Sequence, residues 1–386
     1  MNMESEIHAW HFETRKPVRL SHAGGLITQL EAVPDPPPQA EWIAPGLFDL
    51  QINGYGGIDF QQDDLTIDSL LTAARSLRLA GCTKFLFTLI TEDWPCLLTR
   101  LRHARSLREK SAELQAAIAG WHIEGPFLSG EPGFHGAHNP AWMRDPTPEH
   151  MLELRAVAGE DPLLVTVSPE RSGAFKAIQT AVSTGISISL GHTDASADLL
   201  REAVQAGARG FTHLGNGCPR SLDRHDNILW RVFETPGLLT SLIPDQIHVS
   251  PPLFRLVHRT LGFESIYYTT DAMSAAGCPP GRYKLGTLEL DVGADQIVRQ
   301  PGKPLFAGSA LRPIEGVFRA AQMLRCPWQN VWPGWSTRPA KLLGLRNELV
   351  LGEPANFCLL KVNAQNKLQE LRVCFNGHLS NGWKSA

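Results

Sequence analysis

The sequence predicts an α/β fold: a (β/α)8 barrel with a small β-sandwich domain assembled from both chain ends. Three observations lead there. From about Pro45 to Trp335, apolar strand-like runs alternate with longer amphipathic stretches; roughly eight such units in parallel order make a barrel. Ahead of them stand short strand and turn signals such as Gly25-Leu26-Ile27, ending in Pro34-Asp35-Pro36-Pro37-Pro38, which continues neither helix nor sheet. Behind them short strands return. Neither flank is large enough for a core of its own, so residues 1–44 and 337–386 are expected to form one small β domain beside a barrel of residues 45–336.

Taken in order, the barrel strands are expected at Leu47–Ile52, Lys84–Leu89, Ile118–Ile123, Leu163–Val167, Ile186–Leu190, Gly210–Thr212, Leu238–Leu242 and Ile266–Thr269. Helical periodicity falls between many of them, as in Ile67–Leu79, Pro95–Leu107 and Ala197–Ala206. A doubly wound open sheet is the rival, but Asn53-Gly54-Tyr55-Gly56-Gly57 lacks the GxGxxG spacing of a dinucleotide turn. No repeat of solenoid period is present. Past the barrel, Asn356–Leu360 and Leu371–Phe375 read as strands, the second running into a turn at Asn376-Gly377.

Composition excludes several classes. Of 386 residues, 43% are hydrophobic and 19% charged, values of a soluble globular chain. A net charge of −3 gives no footprint for nucleic acid or an anionic membrane, so an anionic substrate would be held by local groups. No run approaches the roughly 18 apolar residues of a membrane helix. Met1–Arg15, with Glu4, Glu6 and Glu13, has no apolar leader. The seven cysteines form no CxxC pair, which favours reduced thiols and a cytoplasmic setting.

Reactive groups in such a barrel sit at the C-terminal ends of strands. Those ends read Trp121-His122-Ile123-Glu124-Gly125-Pro126, Ser189-Leu190-Gly191-His192, Phe211-Thr212-His213 and Thr269-Thr270-Asp271. Singly, each His or Asp is a common helix cap or surface group; together, two imidazoles and two carboxylates converge on one rim. His192 and His213 lie about one βα unit apart and belong on neighbouring strands. Two neutral imidazoles with one carboxylate suit Zn²⁺ or Fe²⁺ and leave a position for water, whose pKa such a metal lowers to roughly 7. Asp271 is then the carboxylate left to accept the proton.

At these residues the chain resembles the N-acetylglucosamine-6-phosphate deacetylases of the amidohydrolase superfamily, over nearly its whole length. The motifs are Pro45-Gly46-Leu47-Phe48-Asp49-Leu50-Gln51-Ile52-Asn53-Gly54, His122-Ile123-Glu124-Gly125-Pro126-Phe127, Gly136-Ala137-His138-Asn139-Pro140, Gly191-His192-Thr193, Thr212-His213-Leu214-Gly215-Asn216, Thr270-Asp271-Ala272 and Gly308-Ser309. The resemblance implies metal ligation by Glu124, His192 and His213, with Asp271 as proton shuttle and His138 at the scissile carbonyl, where a donor stabilises the developing oxyanion. It implies substrate contacts by Ala137, Asn216, Gly217, Arg224 and His248, with the Phe306-Ala307-Gly308 backbone beside the sugar, and a homodimer.

The first strand sets the metal count. Many amidohydrolases hold a second metal there with His-x-His, whereas here the positions are Gln51 and Asn53, amides that coordinate poorly beside imidazole. Leu163–Pro169 also lacks a lysine that could bridge two metals. One divalent ion per chain is expected, with Zn²⁺ first and Fe²⁺, Co²⁺ and Mn²⁺ also suited. His122 should share a strand face with Glu124 and is either a supporting residue or a further ligand.

The stretch after His213, Gly215-Asn216-Gly217-Cys218-Pro219, departs from the family form, as does Arg220–Asn227. Arg224 and His248 are the expected phosphate contacts, with Arg220 or His225 as replacements. The expected reaction is hydrolysis of the N-acetyl group of N-acetylglucosamine 6-phosphate to glucosamine 6-phosphate and acetate. The alternatives are an amidohydrolase for another acyl compound, such as N-acetylgalactosamine 6-phosphate, an unphosphorylated sugar or a cyclic amide, and a catalytically silent sugar-phosphate-binding barrel.

Overall fold

A computed structural model describes residues 5–302 and 306–384. Met1–Glu4, at the start of the segment read as lacking a leader, lie outside these residues, as do Ser385 and Ala386 of the expected small domain.

Eight parallel strands form the central sheet: Leu47–Ile52, Cys82–Ile90, Ile118–Glu124, Leu163–Val167, Ser187–Leu190, Gly210–Phe211, Leu239–Leu242 and Ile266–Tyr268. Each overlaps the strand expected from the sequence, and their spatial order follows chain order, as successive βα units require. Among the described residues no strand ladder joins the first strand to the eighth; a bridge between Ile52 and Ala272 stands at that seam.

The helices between them carry their own punctuation. Ile67–Leu79 starts at Thr66, which accepts from the Ser69 amide while the Ser69 hydroxyl accepts from the Thr66 amide. Its buried residues, Leu70, Ala73, Ala74 and Leu77, follow the i, i+3, i+4, i+7 spacing that lays one face on the sheet. Ala197–Ala206 is capped by Ser196 and stopped by Gly207 at φ 116°. Helix Thr337–Leu342 puts Ala340 into one cluster with Phe48, Leu50, Leu86, Leu164 and Tyr267 of the barrel strands.

The chain ends build a seven-stranded sheet from Ser5–His11, Pro17–Ala23, Leu26–Ala32 and Glu41–Pro45 together with Phe357–Val362, Leu368–Phe375 and His378–Lys384. Strands of both ends share one core, including Ala9, Leu20, Ile43, Phe357, Leu359 and Cys374, which gives the sandwich expected from the sequence. The turn foreseen at Asn376-Gly377 has both residues at positive φ, 48° and 79°, as a tight hairpin demands.

A further antiparallel sheet, Gly281–Leu285, Leu288–Val292 and Val298–Arg299, follows the last barrel strand and has no counterpart among the expected elements. Leu285, Leu290, Val292 and Val298 pack with Met273, Ala307 and Ala310, and Ala137 packs against that cluster. The insert thereby links the His138 loop to the end of the eighth strand.

Candidate active site

Glu124 ends the third barrel strand, His192 and His213 follow the fifth and sixth, and Asp271 follows the eighth. Glu124, His192 and His213 are buried, and one ligand atom from each lies within 4.8 Å of the others. Each of the three groups that follow a strand bends away in the left-handed region: His192 at φ 52°, His213 at 31° and Asp271 at 51°. Non-glycine residues held there are strained and tend to occur where function demands it.

The protons of His192 can be placed from its neighbours. Nδ1 faces the Phe134 carbonyl at 2.8 Å, and a carbonyl only accepts, so Nδ1 carries a proton. Nε2 is buried without a hydrogen-bond partner and points at Glu124 Oε1, 3.4 Å away. In a neutral ring this is a lone pair facing a carboxylate oxygen. Either a second ring proton or a shared cation relieves that arrangement, and a carbonyl-oriented histidine is the usual setting of a metal ligand. His213 adds Nε2 at 2.9 Å from the same oxygen, with its buried Nδ1 unpartnered. The donor set, one carboxylate and two imidazoles, suits a divalent cation.

Burial alone would raise the pKa of Glu124, but the close polar contact with His192, the hydrogen bond with His213 and the nearby His213 and His138 rings outweigh it and hold the carboxyl well below its ordinary range. Asp271, partly exposed at the barrel mouth, goes the other way: desolvation of its carboxyl and the charge of Glu124 raise it to about 8, against the lowering effect of His213 and of the Asn53 hydrogen bond. Two nearby carboxylates are thus held apart in pKa, the arrangement that separates a ligand from an acid/base group.

Gln51 and Asn53 make polar contacts of their own with these carboxylates. Gln51 Nε2 donates to Glu124 Oε1 at 2.8 Å and to Asp271 Oδ1 at 3.0 Å. Asn53 Nδ2 donates to the same Asp271 oxygen at 2.7 Å. Of the two amides expected to exclude a second metal, Gln51 therefore bridges the carboxylates while Asn53 serves Asp271 alone, and both bonds to Asp271 fall on Oδ1.

His138 stands beside His192 and Glu124. Its ring meets His192 edge-on at 4.6 Å between centroids, and its Nε2 is 3.7 Å from Glu124 Oε2. The Thr91 amide, which can only donate, lies 3.4 Å from Nδ1, and Thr91 Oγ1 is 2.8 Å away. An accepting Nδ1 leaves the ring proton on Nε2. Burial and the neighbouring His192 lower the His138 pKa to about 3, so the ring stays neutral.

Among the other expected residues, Asn216, Gly217 and Gly308 touch groups of this centre. Asn216 Nδ2 donates to the His213 carbonyl at 3.2 Å. Gly217, at φ 62°, lies so close to His192 that a Cβ there would sit 2.8 Å from Nδ1. Gly308 packs on the Asp271 carbonyl, and the next amide, Ser309, donates to that carbonyl at 2.8 Å. His248 is oriented by Asp245 Oδ2 at 2.6 Å and meets the Phe306 ring at 5.5 Å. Ala137 and Ala307 share the cluster beneath the inserted sheet. Arg224 is not drawn in: it is exposed, and its side chain donates to His225 Nε2 at 3.1 Å.

No family model matches the chain, but individual proteins do. The N-acetylglucosamine-6-phosphate deacetylase of Vibrio furnissii is 31% identical over 308 residues, 80% of this chain and 75% of that one. The enzyme of the same name from Bacillus subtilis is 30% identical over 333 residues, 85% and 83% of the two chains. The chain belongs to the N-acetylglucosamine-6-phosphate deacetylase family. A solved structure of this family from Mycobacterium smegmatis, an Asp-to-Ala variant in complex with N-acetyl-D-glucosamine-6-phosphate, matches with a TM-score of 0.85 at 29% identity, covering 98% of this chain and 99% of that one. Deacetylase membership and the buried Glu124/His192/His213 group together point to a divalent metal. Among the described residues no helix is long and apolar enough to cross a membrane.

Sequence reasoning missed the hydroxyls that hold this deacetylase site. His122 Nε2 pairs with Thr166 Oγ1 at 2.9 Å, and Thr166 continues to Thr212 at 3.1 Å and on to Ser189 at 2.7 Å. His122 is thus a supporting residue in that network, and burial lowers its pKa to about 4. Thr91 is the partner of His138, and Asp49, within the first-strand motif, is a buried carboxylate raised to about 6 by desolvation. Single threonines carry no sequence mark of such roles. The Glu124-Gly125 turn does: Gly125 sits at φ 94°, and a Cβ there would lie 2.1 Å from Thr91 Oγ1, so the glycine of the Glu-Gly-Pro motif is required by the Thr91–His138 contact.

Proposed function

We propose that this chain hydrolyses the N-acetyl group of N-acetylglucosamine 6-phosphate, giving glucosamine 6-phosphate and acetate, with a divalent cation held by Glu124, His192 and His213. The observation that carries the reading is the buried His192 Nε2 lone pair aimed at Glu124 Oε1, beside an Asp271 carboxylate steadied by two amides. A cation bound there supplies Lewis acidity to water and to the amide carbonyl.

The remaining work falls to side chains. Asp271 is the general base, and the two amides on Oδ1 leave Oδ2 to take the proton of the attacking water. Its raised pKa suits it to give that proton back to the sugar nitrogen, which must leave as an amine. His138 donates from Nε2 to the carbonyl oxygen as negative charge develops, and remains neutral throughout. His248, oriented by Asp245, and Arg224 are assigned to the phosphate, with Arg220 or His225 as the replacements. Ala137, Asn216, Gly217, Phe306, Ala307 and Gly308 are assigned to the sugar and acyl group.

We further propose Zn²⁺ as the metal, at one ion per chain, a homodimer as the working form and the cytoplasm as its location. Residues 1–44 and 337–386 are proposed as the small domain and 45–336 as the barrel. Seven free cysteines, three of them buried, fit a reducing compartment. The test is a deacetylation screen on Zn²⁺-reconstituted protein with N-acetylglucosamine and N-acetylgalactosamine, each with and without 6-phosphate. The expected result is the highest kcat/KM for the phosphorylated gluco sugar. Equal kcat/KM with and without phosphate would overturn the phosphate assignment, and no acetate release from any of the four would overturn the deacetylase reading.

A further inference from the structure

We infer that Asp49 is a positioning residue for the catalytic carboxylate: its side chain fixes the end of the eighth barrel strand and, through it, the backbone of Asp271. The inference rests on the reading of Asp271 as proton acceptor given above.

Asp49 is wholly enclosed, and both its oxygens are saturated with donors. Oδ1 accepts from Thr269 Oγ1 at 2.5 Å and from the Gln51 amide at 3.1 Å. Oδ2 accepts from the Thr270 amide at 2.9 Å and from Thr270 Oγ1 at 2.7 Å. A carboxylate buried at this depth is retained only when its charge is met by such donors.

The strands it joins are the first and eighth, where the described residues form no ladder. At the catalytic end the seam has the Ile52–Ala272 bridge, the Asn53 backbone amide donating to the Ala272 carbonyl at 2.7 Å, and the three bonds from Thr269 and Thr270 to Asp49. Asp271 lies between these anchors, immediately after Thr270, in a left-handed conformation that an L-residue leaves unless its neighbours hold it. The Ser309 amide on the Asp271 carbonyl holds it from behind. Asp49 therefore acts one residue upstream of the catalytic group, without touching substrate.

Asp49→Asn is a discriminating change because of where the two backbone donors lie. The Gln51 and Thr270 amides sit on different oxygens. An asparagine turns its own NH₂ toward one of them in either orientation, leaving a buried donor unpaired and pushing the strands apart. Expected is a kcat lower by about 10- to 100-fold, the loss that a small misplacement of a catalytic group produces, with KM within about twofold and bound metal equal to the parent. Thr269→Val removes one hydroxyl donor at constant shape and should lower kcat in the same pattern, while Thr269→Ser retains the parental kcat. If Asp49→Asn does not fold, the Thr269 pair carries the test. Parental kcat in both Asp49→Asn and Thr269→Val overturns the inference, as does a parallel loss of kcat, KM and metal that signals general loosening. Asp271→Asn separates the two levels. If it turns over normally, the reading of Asp271 fails; if it is inactive while the other variants are unaffected, that reading stands and the inference fails.

Discussion

Replacing Asn53 by leucine tests the coupling between the first strand and Asp271 with little change in shape. Asn53 Nδ2 donates to Asp271 Oδ1 at 2.7 Å, and its own Oδ1 is buried without a partner, so leucine removes one hydrogen bond and one unsatisfied acceptor together. A hydrogen bond to a charged group contributes about 1.5–3 kcal/mol, and about 1.4 kcal/mol corresponds to one pKa unit. The Asp271 carboxyl should therefore rise by about 1–2 units in Asn53→Leu, Gln51 remaining as the second donor. The sign follows from the charge: the donor favours the ionised carboxylate, so its loss raises the pKa. A general base must be ionised to act, so the acid limb of kcat/KM moves to higher pH by the same 1–2 units. Acetate release measured from pH 5.5 to 10 with saturating metal should show curves about 10- to 100-fold apart on the acid side that converge on the alkaline side. An acid limb that stays in place, whatever happens to the plateau, would show that Asn53 does not act through Asp271.

Gly217→Ala strains the backbone at φ 62° and drives a Cβ to 2.8 Å from His192 Nδ1, displacing the ring that faces Phe134. Metal affinity should fall about 10- to 100-fold, as when a ligand loses its supporting contact; competition with a chelator measures it, and parental affinity would show that the ring tolerates the shift. Metal-free protein should gain thermal stability as pH falls from 9 to 7. Asp271, raised to about 8 in the fold, binds its proton there while the unfolded chain does not, and that stability is lost as pH rises through about 8. Saturating divalent cation should flatten this dependence by favouring the ionised carboxylate, and a metal-free melting temperature constant from pH 7 to 9 would contradict the shift. Below about 6.5 the buried His122 and His138, lowered to about 4 and about 3, act in the opposite sense, because the unfolded chain takes up protons that the fold refuses.

What the sequence could and could not disclose follows from the range of the interactions. All eight barrel strands were legible because burial of a parallel sheet writes continuous apolar runs, and those runs are local. Glu124, His192, His213 and Asp271 were legible for a derivative reason: a barrel strand delivers its last residues to one rim, so a chemically apt residue at a strand end is already placed. Gln51 and Asn53 were legible as absences of histidine, but not as donors to Glu124 and Asp271. The inserted sheet leaves no comparable signal, its strands being short, only partly buried and outside the βα rhythm.

The supporting hydroxyls were illegible because each is defined by register between strands distant in sequence. Thr88 stands opposite His122 in one ladder, and in the next ladder Leu164 stands opposite His122 and Thr166 opposite Glu124. Thr166 reaches His122 only diagonally, and a slip of one residue would turn its hydroxyl to the other face of the strand. The same dependence applies at the seam, where Asp49 meets Thr269 and Thr270 from 220 and 221 positions away. A strand end gives direction; a partner requires knowing which strand lies alongside and at what height. The candidate groups at this barrel's rim could therefore be found one at a time, whereas the contacts that aim them exist only once the strands are in register.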